Sequence, residues 1–136
     1  MTTSSFSIKS NTSDRELVFL APRPDHFVVE LRGAGVCVTR EVYAYTDADG
    51  LASLFSKLAA SERPWKGTEG WESLEGEFSL SAACSAQGHV SFAIRIRDSF
   101  GGLEEWQVEA CLLTELGQLP NIAARARSFF NAVASA

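Results

Sequence analysis

Three changes of hydrophobic period predict a two-layer α+β domain: a mostly antiparallel sheet of about six strands, with two helices packed on one of its faces. Over residues 74–112 apolar side chains recur at every second position in three successive segments. From Leu119 onward they recur at helical spacing. Earlier, a Gly-rich reversal joins two alternating segments, and a second helical stripe follows at residues 51–58.

In order along the chain, disorder is expected at residues 1–5, after which Phe6 and Ile8 alternate with Ser7 and Lys9 and begin a short edge strand. Residues 16–21 are apolar and β-prone. They stop at Pro22 and Pro24, which lack backbone donors and hold the preceding residues extended. Phe27, Val29 and Leu31 alternate with Glu30 and Arg32, and Gly33, Ala34 and Gly35 turn the chain into Val36, Val38, Val42 and Ala44, a β-hairpin. Leu51, Leu54, Phe55 and Leu58 then stand at i, i+3, i+4 and i+7. Asp47 is placed to cap that helix, because its carboxylate can accept from the free N–H groups of the first turn. The helix ends before Pro64, and residues 61–72 read as an irregular connection containing Trp65, Gly67, Gly70 and Trp71.

Leu74, Phe78, Leu80, Ala82 and Cys84 restore a period of two, Gln87 and Gly88 supply a turn, and Val90, Phe92, Ile94 and Ile96 share a face of the next strand. On the last strand Trp106, Val108, Ala110 and Leu112 lie on one face, with Glu105, Gln107, Glu109 and Cys111 on the other. The short connection at residues 98–102 makes these two strands an antiparallel pair, and Arg97 is expected opposite Glu105. The strongest helical stripe is Leu119, Ile122, Ala123, Ala126, Phe129, Phe130 and Val133. Pro120 requires that helix to begin near Gly117 or Gln118, where a missing N–H is harmless. Burial of Phe129 and Phe130 should contribute about 1.5–3 kcal/mol each.

The 136 residues fit one domain, 1–136, able to bury roughly two-thirds of its unfolded surface without metal or disulfide staples. With 46% hydrophobic and 21% charged residues, the composition is that of a folded chain. The net charge of -5 disfavours nucleic acid as a partner, since such binding depends on a Lys/Arg surface. There is no apolar run long enough for a membrane span and no secretory pattern at the N-terminus, so a cytoplasmic location and no membrane association are expected. Cys37, Cys84 and Cys111 are odd in number and far apart, which suits reduced thiols. Oligomeric state is left open by the sequence.

The series Trp65, Lys66, Gly67; Trp71 to Gly76; Gly88, His89, Val90; Trp106; Gly117, Gln118, Leu119; and the closing Phe129 and Phe130 resembles a bacterial family of small domains of unknown function. The similarity spans roughly residues 51–130. It implies the order helix, Trp-Gly loop, three strands, final helix, and a bacterial cytoplasmic setting. Pro120 departs from the pattern, and the resemblance brings no catalytic residue with it.

Several residues invite chemistry. Trp65 and Trp71 sit beside Gly67 and Gly70 in the long connection, where binding residues concentrate. Either both indoles fold back as a lid over the core, or they contact a ligand or partner. His26, His89 and the three cysteines lack the close spacings of zinc sites, so no metal and no cofactor are expected. Cys111 shares the polar face with Glu105 and Glu109, and neighbouring carboxylates raise a thiol's pKa, which is wrong for a nucleophile. Glu72, Glu75 and Glu77, with Glu104, Glu105 and Glu109, form the acidic concentration of the chain. Paired carboxylates can do acid–base work. Here Glu75 and Glu77 alternate with apolar positions as the solvated face of a strand does, which favours a patch for a basic partner over catalysis. Gly33, Ala34 and Gly35 contain a G-x-G that lies between strands, without the helix that would present N–H groups to a phosphate. No catalytic signature of the common hydrolase or nucleotide classes occurs.

These readings point to a non-catalytic protein-interaction module, immunity-like by analogy, whose contacts are Trp65, Trp71, Glu72, Glu75, Glu105 and Glu109. The alternative is a small-ligand-binding protein with a cavity between sheet and helices.

Overall fold

Each half of the chain folds as a four-stranded antiparallel meander followed by a helix. The computed structural model describes residues 5–44, 50–98 and 101–135, with backbone only for 132–135. The first meander comprises β1 (Ser5–Lys9), β2 (Glu16–Leu20), β3 (His26–Gly33) and β4 (Val36–Tyr43), and α1 (Gly50–Ala59) follows it. The second comprises β5 (Glu69–Glu72), β6 (Phe78–Cys84), β7 (His89–Asp98) and β8 (Trp106–Glu115), and a 3-10 turn at Leu116–Gln118 leads into α2 (Leu119–Ser135).

The fold is therefore α+β with antiparallel strands, and the expected single six-stranded sheet is corrected to two sheets of four, ordered β1-β2-β3-β4 and β5-β6-β7-β8. Hydrophobic period identifies strands without saying which of them pair, and α1 separates β4 from β5. Helix α1 packs on α2 and on β5, while α2 packs on β1, so each helix also meets the first strand of the other half. The inner faces of both sheets and the apolar stripes of both helices merge into one core.

The stripes behave as their spacing predicts. Leu51, Leu54, Phe55 and Leu58 are buried on α1, as are Leu119, Ile122, Ala123, Ala126, Phe129 and Phe130 on α2. Pro120 falls in the first turn of α2. Phe6, Ile8, Phe27, Val29, Leu31, Val90, Phe92, Ile94 and Ile96 all point inward. The expected cap at Asp47, the connection at residues 99 and 100, the side chain of Val133 and, apart from Ser5, the expected disorder at residues 1–5 lie outside the described residues.

Four local expectations are corrected. Residues 69–72 form β5, not irregular chain, because the backbone pairs with β6 even though only Trp71 of the four is apolar. Leu74 is 66% exposed: Gly76 N–H donates to Ser73 O at 2.9 Å, closing a turn that delays β6 until Phe78. Arg97 lies opposite Gln107, and Arg95 opposite Glu109, because β8 begins only at Trp106. Glu77 is 1% exposed and not solvated. Its carboxylate accepts from the Tyr43 backbone N–H at 3.1 Å and from the Ser73 hydroxyl, linking the end of β4 to the β5–β6 turn.

The β3–β4 hairpin depends on left-handed backbone. Ala34 and Gly35 have φ of 53° and 86°, the pattern of a two-residue type I′ turn, and Ala34 N–H donates to Asp14 Oδ1 at 2.7 Å. Gly33 has φ 94°, and a Cβ there would stand 2.2 Å from the Asp14 carbonyl oxygen, whereas one at Gly35 meets nothing within 4 Å. Gly33→Ala should therefore lower unfolding free energy by about 2–4 kcal/mol, strain and overlap together. Gly35→Ala should cost only about 1–2 kcal/mol. Urea denaturation of the two variants checks the difference.

Candidate partner-binding face

The outer face of the β5–β8 sheet is built by strict alternation. Phe78, Leu80 and Ala82 on β6 and Val90, Phe92, Ile94 and Ile96 on β7 are buried, which sends Ser79, Ser81, Ala83, Ser91, Ala93 and Arg95 to the opposite side. Register stacks these residues in rows across the sheet. Glu72, Ser79, Arg95 and Glu109 are successive partners in one row, and Gly70, Ser81, Ala93 and Cys111 in the next. The second row is all small, so the face sinks there into a depression of about 550 Å³ lined by Ser79, Ser81, Ala93, Arg95, Glu109 and Cys111. It continues over Gly70 toward Trp71 and Glu72.

Charge is concentrated along one side of the depression. Arg95 Nη2 donates to Glu72 Oε2 at 2.5 Å, while Arg95 Nε is buried without a hydrogen-bond partner among the described residues. Glu109 accepts from Gln107 Nε2 at 2.9 Å. Arg97 Nε donates to Gly76 O at 3.0 Å in the β5–β6 turn, which also carries Glu75. Glu105 accepts from Gly101 N–H at 2.6 Å at the entry to β8. Glu72, Glu75, Glu104, Glu105 and Glu109 are all exposed along this face and its rim, against Arg95 and Arg97. The excess is acidic.

Register thus puts Glu72 and Glu109 in one row of the outer face, leaves Glu75 and Glu105 in the connections at its end, and places the tryptophan side chains elsewhere. Trp71 is half-buried on the inner side of β5, its ring 6.2 Å from Phe78. Trp65 also packs against the core, and its Nε1 donates to Ala82 O at 3.4 Å. A shallow cleft lies beside it, bounded by Lys66, Ala83 and Cys84. Burial pushes the Cys84 thiol above its ordinary range, against a smaller downward pull from a backbone hydrogen bond at Trp65, a poor state for a nucleophile.

Sequence reasoning missed the small residues Ser79, Ser81 and Ala93. Their signal was available, since Ser79, Ser81 and Ala83 on β6 and Ser91 and Ala93 on β7 give five small residues at outward positions, with His89 at the start of β7 the exception. It missed Arg95 because its role depends on register. The histidines sit beside carboxylates: His26 Nδ1 is 2.7 Å from Asp25 Oδ1, and His89 Nδ1 is 2.9 Å from Glu115 Oε1. Among the described residues no group of His, Cys, Asp and Glu is placed to hold a metal, the three cysteines are free, and no helix is long and apolar enough to cross a membrane.

No curated protein and no solved structure matches the chain. The profile of DUF6228, a family of unknown function, matches residues 10–133, extending well N-terminal of the 51–130 span in which the sequence resembles such a family. The match covers nearly the whole chain and both of its halves, and the chain therefore belongs to the DUF6228 family of unknown function.

Proposed function

We propose that the protein is a non-catalytic interaction module that receives a partner with a basic surface on the outer face of the β5–β8 sheet. One observation carries this reading: the row Glu72, Ser79, Arg95 and Glu109 borders a depression of small residues on a sheet face that points away from both helices. A flat, small-residue surface lets another chain approach closely. The surrounding carboxylates favour a cationic partner, speed encounter and disfavour acidic competitors. An immunity-like, partner-neutralising role fits the same surface, because a small acidic chain can cover a basic site on another protein.

The test is a titration of the isotope-labelled chain with an arginine-rich peptide, read by amide chemical shifts. Shifts should cluster at residues 70–72, 79–81, 93–95 and 109–111 and weaken with salt. The double variant Glu72→Lys with Glu109→Lys should reduce affinity by about tenfold or more. Shifts centred elsewhere, or unchanged affinity in the double variant, would overturn the assignment.

A second reading, a small-ligand binder, is favoured by a different place in the fold. Where β1, β8 and α2 meet, a cleft opens between sheet and helix, and neither Trp65 nor Trp71 is in its lining.

A further inference from the structure

That cleft has a volume of about 460 Å³, within the range of small-molecule sites. The one carboxylate in its lining is already engaged: Glu115 Oε1 accepts from Asn11 Nδ2 at 2.8 Å and lies 2.9 Å from His89 Nδ1. Donors remain alongside it. Arg125 donates through Nε to Asn121 Oδ1 and through Nη1 to Ser7 O, both at 2.7 Å. These two bonds fix the guanidinium at the cleft wall, and Nη2 has no hydrogen-bond partner among the described residues. The Lys9 ammonium and the Gln118 amide also line the cleft without a hydrogen bond among those residues.

Thr114 contributes a hydroxyl to the same cleft. It is only 4% exposed, it lines the cleft, and its hydroxyl has no hydrogen-bond partner among the described residues. The hydroxyl is not one of the enclosed unpaired atoms among the described residues, so it opens to the cleft and is free to donate to an oxygen there. Ile122 adds an apolar wall. In a chain of net charge -5, two cations, Arg125 and Lys9, line one cleft, with Glu115 in its wall and Glu16 opposite Lys9 on β2.

We propose that this cleft binds a small organic oxyanion, a carboxylate or phosphate ester with a short apolar part. Arg125 and Lys9 hold its charge, Thr114 and Gln118 donate to its oxygens, and Ile122 takes the apolar part. The proposal rests on the small-ligand reading and is independent of docking on the outer sheet face.

The experiment titrates the labelled full chain with butyrate, with inorganic phosphate and with 1-butanol as an uncharged control. Saturable amide shifts are expected at Thr114, Gln118, Ile122 and Arg125 with at least one anion and not with the alcohol. Phosphate alone would identify a phosphate ester as the natural class, and butyrate alone a carboxylate. Arg125→Gln and Lys9→Gln should each weaken binding about tenfold, the loss of one charge-assisted bond. Lys9→Gln removes no hydrogen bond of the fold, so it remains informative if the Arg125 variant is unstable. No saturable shift with either anion, or equal affinity in Lys9→Gln and the parent chain, would overturn the site. Shifts confined to residues 79–81 and 93–95 would overturn it too, while leaving the outer-face reading intact.

Discussion

Replacing Phe19 with alanine is expected to lower the free energy of unfolding by about 3–5 kcal/mol, the usual cost of emptying a buried aromatic site. Phe19 is 0% exposed. It stacks on Phe6 at 4.6 Å, and its centroid lies 5.9 to 6.4 Å from those of Phe27, Phe55, Phe78, Phe129 and Phe130. These partners come from both sheets and both helices, so the void would open where the two halves meet and could not be closed by shifting one element. Domains of this kind have about 5–15 kcal/mol in total, so the variant should stay folded with a much lower denaturation midpoint and an unchanged slope. Phe19→Leu keeps most of the volume and should cost less. A loss below about 1 kcal/mol for the alanine variant would contradict a rigid, close-packed junction.

The elements that sequence predicted best are those whose evidence is local. A helix facing a core shows its stripe within a dozen residues, which is why the burial of Leu51, Leu54, Phe55 and Leu58, and of Leu119 through Phe130, agrees with spacing. The partition into two sheets is not local. Strand β5 exists because Trp71 pairs with Leu80, and Glu69, Gly70 and Glu72 offer no alternation that a reader of the sequence could detect. The repetition of a meander and a helix was equally hidden, because it lies in the order of elements and not in a recurrent motif.

The candidate face was legible in half. Glu109 lies in a strand that the alternation of its neighbours predicts, and its outward direction follows from the apolar positions beside it, whereas Glu72 falls in the segment that reads as irregular chain. That they share a row, with Arg95 between them, follows only from register. The seam cleft was invisible for the same reason: Lys9 and Arg125 are separated by most of the chain, and only the docking of α2 on β1 brings them to one opening.

Glu77 is the residue where a local pattern and the fold disagree, and its removal should be costly. Counted along the sequence it alternates with apolar neighbours and resembles a solvated strand position. In the fold, Oε2 accepts from the Tyr43 N–H at 3.1 Å and Oε1 from the Ser73 hydroxyl, while its own carbonyl accepts from Arg97 N–H at 3.0 Å. Ser73 Oγ in turn accepts from Phe78 N–H at 3.1 Å. One carboxylate thereby ties the last residue of β4 to the turn that starts β6. Glu77→Ala takes the acceptor from Tyr43 and from Ser73 together, and at about 1–3 kcal/mol for each buried group left unpaired the expected loss is about 2–5 kcal/mol. Glu77→Gln retains an oxygen for one of the two donors and should fall between the parent and alanine. Exchange of the Tyr43 amide should quicken in both variants ahead of global unfolding, because its link to the second sheet is what they weaken. An alanine variant within about 0.5 kcal/mol of the parent, with Tyr43 still protected, would mean that the two sheets are held together by the aromatic junction alone.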